Sequence, residues 1–87
     1  MPNYKIGDVV DLDDVLISPA AYASWQATAA ASTGALAASG RLPPPGQIPT
    51  EQGLWLASGE LEIFVEIPGV ARISMTIPPG QWAWARP

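Results

Sequence analysis

Two alternating stretches near the C-terminus constrain this chain more than any other feature. Leu61, Ile63, Val65 and Ile67 alternate with Glu60, Glu62, Phe64 and Glu66, and Ala71, Ile73, Met75 and Ile77 alternate with Arg72, Ser74 and Thr76. A period of two is the signature of a strand with one apolar face. The register follows, because residues that face each other must share a side of the sheet. A two-residue Pro68-Gly69 loop would set Val65 against Arg72 and Ile63 against Ser74, mixing the faces. A three-residue loop, Pro68-Gly69-Val70, sets Ile67 against Ala71, Val65 against Ile73, Ile63 against Met75 and Leu61 against Ile77. It also sets Glu66 against Arg72, an opposite-charge pair. The three-residue loop is therefore predicted.

The same reasoning extends to both sides. Ser58-Gly59 as a tight turn puts Leu56 opposite Leu61 and Leu54 opposite Ile63. Pro78-Pro79-Gly80 as a three-residue turn puts Ala83 opposite Met75 and Ala85 opposite Ile73. The expectation is a four-stranded antiparallel meander over Leu54–Ala57, Glu60–Ile67, Ala71–Ile77 and Gln81–Arg86. One face would be aliphatic. The other would carry Trp55, Phe64, Trp82 and Trp84 among Glu62, Glu66, Arg72 and Arg86. A solvated face is ordinarily polar, so four large aromatics there predict a covered or docking surface. Trp82 and Trp84 on one face also suit stacking on a sugar ring or a peptide proline, the alternative use of such a platform.

Upstream, residues 1–17 read as an extended arm, with a short strand and turn around Tyr4, Ile6, Gly7-Asp8 and Val9/Val10. Ser18-Pro19 is a helix start, serine as N-cap and proline in the first turn. The helix runs through residues 18–40, alanine supplying its propensity and Gly40 its C-cap. Its seam is Tyr22, Trp25, Ala29, Ser32, Leu36 and Ser39, at heptad spacing. Tyr22, Trp25 and Leu36 are its bulky members. They pack either on the chain's own sheet or a neighbour, or on a second copy. Residues 41–53, with Leu42-Pro43-Pro44-Pro45-Gly46, form a stiff proline-rich linker, and residues 54–87 the small β-module. The fold class is mainly β with one helix (α+β).

Composition narrows the chemistry. Eighty-seven residues make one small domain, with neither cysteine nor histidine, so no disulfide and no His/Cys zinc site is available. Lys5, Arg41, Arg72 and Arg86 are the only basic residues against a net charge of −4, which argues against nucleic acid and anionic membranes as partners. The start lacks the charged and apolar pattern of a secretory signal. Much of the hydrophobic fraction is alanine, so the core is small, and neighbours are expected to hold the arm. Asp8, Asp11, Asp13 and Asp14 lack the glycine and terminal glutamate of a calcium loop and read as turn and cap residues. Glu62 and Glu66, about 13 Å apart along one strand, are too far apart for a hydrolase pair and read as ion-pair partners. No nucleophile–base pair, cofactor site or metal set is legible, and the chain is read as non-enzymatic.

The layout of arm, Ala/Ser/Thr helix, Pro43-Pro44-Pro45 hinge and small β-module resembles small virion proteins of tailed bacteriophages, of the capsid-decoration, head-fibre-base or tail-adaptor kind. The resemblance is architectural and carries no residue roles. It implies a structural or docking subunit of a large assembly, held by other protein subunits and by further copies of itself, located in the virion. The alternative is a small β binding module, with cytoplasmic location, that uses the tryptophan face on carbohydrate or peptide.

Overall fold

A computed structural model describes residues 2–86 of the chain, and the fold is α+β, mainly antiparallel strand with one helix. The strands are β1 (Val9–Val10), β2 (Val15–Ile17), β3 (Gln52–Trp55), β4 (Leu61–Ile67), β5 (Ala71–Ile77) and β6 (Trp82–Trp84), and the helix α1 spans Pro19–Ala38. They form a four-stranded sheet in the order β1-β3-β4-β5 and a separate two-stranded ribbon of β2 and β6. The irregular stretch between α1 and β3 holds a short 3-10 turn at Pro45–Gln47.

The central hairpin has the expected register throughout: Ile67 faces Ala71, Val65 faces Ile73, Ile63 faces Met75, and Glu66 faces Arg72. Its loop is Pro68-Gly69-Val70, with Gly69 at φ +71° and the Val70 amide donating to the Ile67 carbonyl. Helix α1 also begins and ends as read. The Ser18 hydroxyl accepts from the Ala21 amide, and Pro19 opens the first turn. At the other end Gly40 takes φ +71°, its amide donates to the Ala37 carbonyl, and the Arg41 amide reaches back to Leu36. These two bonds are the Schellman pattern that satisfies the last carbonyls of a helix.

The rest of the meander is different. β3 pairs with β4 one residue away from the expected register, with Trp55 against Leu61, Leu54 against Glu62 and Gly53 against Ile63. The cause is the turn. Leu56 and Glu60 close a three-residue loop, Ala57-Ser58-Gly59, with the Leu56 amide bonded to the Glu60 carbonyl and Gly59 at φ +88°. A type I turn followed by a left-handed glycine matches strand twist. A one-residue slip turns every side chain over, so Trp55 joins the core side and Leu54 the outer side. Gly53 is required on that core side. A Cβ there would lie 3.0 Å from a Leu61 methyl and 3.3 Å from one of Leu12.

The second correction concerns β6. It does not pair with β5. A 3-10 turn at Pro79–Gln81 carries the chain across the sheet to pair with β2, with Val15 facing Trp84, Leu16 facing Ala83 and Ile17 facing Trp82. The third concerns the arm, whose described residues 2–17 contribute two strands to the domain itself. β1 pairs with β3, Val10 facing Gly53, and β2 forms half of the ribbon. Val10 and Val15 are both buried, Val10 completely. Arm, helix, linker and module are therefore one unit with one core.

That core lies on a single side of the large sheet. Val10, Leu61, Ile63, Ile67, Ile73 and Ile77 point into it, under α1 on one flank and the β2–β6 ribbon on the other. α1 runs antiparallel to β5. Its first residue region is tied to the far end of β5 by the Ser18 amide bonded to the Gln81 carbonyl, and its other end by the Arg41 guanidinium bonded to the Val70 carbonyl. Trp25 and Leu36 are buried beneath the helix, with 1% and 8% exposure. The heptad seam thus packs on the chain's own sheet.

Candidate functional site

The three tryptophans expected on an outer face meet instead on the core side, between the large sheet and the ribbon. Trp84 stacks on Tyr4 at 5.6 Å between ring centres, and meets Trp55 and Trp82 edge-on at 5.0 and 5.1 Å. The Trp82 indole N–H donates to the Gly59 carbonyl at 3.0 Å, which locks the β3–β4 loop against the ribbon. All four rings are half-buried against the core. Stacked and edge-to-face geometries are the favourable ones for aromatic pairs. The rings of Trp82 and Trp84 stand at 82° to each other, so they do not form the flat platform on which a sugar ring stacks.

Phe64 alone of the four remains on the outer face, and it is covered from within the chain. The Arg72 guanidinium lies 4.0 Å from the centre of its ring, leaving Phe64 7% exposed. The same guanidinium bonds to Glu62 at 2.6 Å and to Glu66 at 3.3 Å. The Glu62 hydrogen bond is the main reason its pKa is raised above the ordinary arginine value. With Ser74, Thr76 and Gln52 beside them, these residues make an ordinary solvated face. The four-aromatic docking face is therefore corrected: a register slip at β3 and the departure of β6 dissolve it.

Glu51 organises a second cluster that the sequence did not single out. Its carboxylate accepts from the Tyr22 hydroxyl at 2.6 Å and from the Trp25 indole N–H at 2.5 Å, clamping the chain before β3 to the first turns of α1. The hydrogen bond to Glu51 raises the Tyr22 pKa, and desolvation adds to it. Tyr4 likewise has a raised pKa because its hydroxyl donates to Asp14, at 2.7 Å. A signal for Glu51 existed: it is the only charge between Arg41 and Glu60. The helix residues expected at an interface are thus spent inside the fold, Tyr22 and Trp25 on Glu51 and Leu36 in the core.

The aspartate run performs turn and cap work. Asp11 accepts from the Asp13 amide, Asp8 from the Lys5 amide and Asp14 from Tyr4. Among the described residues no three carboxylates converge as metal ligands. An open cleft of about 540 Å³ lies between Tyr4, Val9, Asp11 and the Pro49–Gln52 segment. That volume is within the range of ligand sites, but its ionisable groups are bonded within the chain: Tyr4 to Asp14, Asp11 to Asp13, Glu51 to Tyr22 and Trp25.

What the fold leaves outside is the back of α1 and three aliphatic side chains. From Ser18 to Gly40 the chain has no charged residue. The solvent side of α1 carries Ala20, Ala23, Ala27, Ala31, Gly34 and Ala38, all exposed. Among the described residues no helix is long and apolar enough to cross a membrane. Ile6, Val9 and Leu16 are 56%, 50% and 62% exposed. Comparison with protein-family models, with curated proteins and with solved structures gave no match.

Proposed function

We propose that the chain is a non-enzymatic structural subunit that docks onto other protein subunits of a large assembly, of which a bacteriophage virion is the one its layout resembles. The observation that carries this reading is the back of α1. An isolated surface helix normally owes its solubility to charged residues on its outer face. Here twenty residues carry none, and apart from Pro19, Ser24 and Gln26 the exposed positions are alanine and glycine. Side chains that small give little energy alone but let another backbone approach closely. The packing of the tryptophans against the chain's own core points the same way, since it leaves the uncharged back of the helix outside. The geometry of Trp82 and Trp84 speaks against the carbohydrate module.

The test is gradient sedimentation of lysates from cells that naturally make the chain. The wild-type chain is expected in high-mass particle fractions. The variant Ala27→Lys with Ala31→Glu, two changes at exposed helix sites, should keep its thermal midpoint and stay at the top of the gradient. A wild-type chain confined to low-mass fractions, or a variant that sediments as the wild type does, would overturn the reading.

A further inference from the structure

We draw no further inference here: the strongest candidate, the outer edge of β5 beside α1, is a seven-residue strand edge without a pairing strand among the described residues, and nothing in the structure shows which chain covers it.

Discussion

Replacing Trp84 by alanine should destabilise the isolated chain strongly. Trp84 is half-buried and touches three other rings, Tyr4 at 5.6 Å, Trp55 at 5.0 Å and Trp82 at 5.1 Å. Half of the burial of a large side chain is worth about 1–1.5 kcal/mol. Three aromatic contacts at the low end of their range add about 1.5 kcal/mol. The sum, about 3 kcal/mol, is a large part of what holds a domain of this size together. At roughly 4–8 °C for each kcal/mol, the thermal midpoint should fall by about 12–24 °C. Leu16 is the matched control. It sits on the same ribbon but points outward at 62% exposure, and Leu16→Ser should change stability by no more than about 0.5 kcal/mol. The assay is thermal unfolding of wild type and both variants, followed by far-UV circular dichroism. A Trp84→Ala midpoint within about 3 °C of wild type would show that the ring does not hold the ribbon to the sheet, and the intramolecular cluster would be refuted.

Glu51→Ala should cost about 1.5–3 kcal/mol, the range for hydrogen bonds to a charged group, because it strands the Trp25 indole N–H in a site 1% exposed. Urea unfolding would show this as a lower midpoint with an unchanged slope, and a loss below about 0.5 kcal/mol would mean that the clamp between α1 and β3 contributes nothing. Tyr4 and Tyr22 both have raised pKa values, so the folded state holds their protons more tightly than the unfolded chain does. Their contribution should be fully present below the ordinary phenol value of about 10 and fade as pH climbs through the raised folded values. Tyr22→Phe should flatten that alkaline decline in a midpoint-versus-pH series, and an identical slope in the variant would contradict it.

The parts of the fold legible in the sequence were those where several residues vote on one geometry. The β4–β5 register follows from seven alternating pairs and from Glu66 opposite Arg72, and a slip would have mixed both faces. The helix ends follow from Ser18-Pro19 and Gly40. At β3 the same face test was degenerate. One parity aligns Leu54 and Leu56 with the core, the other Trp55 and a glycine, and either gives an apolar pair. What decides is that Gly59, at φ +88°, completes a three-residue loop. The strands β1 and β2 have two and three residues, too few to show a period, and their partners lie far along the chain. Without them the C-terminal segment had no visible partner except β5. That error produced the aromatic face and, from it, the interface assigned to Trp55, Phe64, Trp82 and Trp84. Glu51 sits in a proline-rich stretch with no periodicity to place it, and its only sequence signal is that it is a lone carboxylate in an uncharged segment.

The C-terminal strand closes over the core to meet the N-terminal segment and packs the tryptophans against it. Nuclear Overhauser contacts in solution test this most directly. The structure predicts cross-strand contacts between Val15 and Trp84, between Leu16 and Ala83 and between Ile17 and Trp82, together with slow exchange of the Trp82 indole proton bonded to Gly59. Contacts linking Ala83 to Met75 and Ala85 to Ile73, with a freely exchanging Trp82 indole, would contradict it and restore an exposed aromatic face.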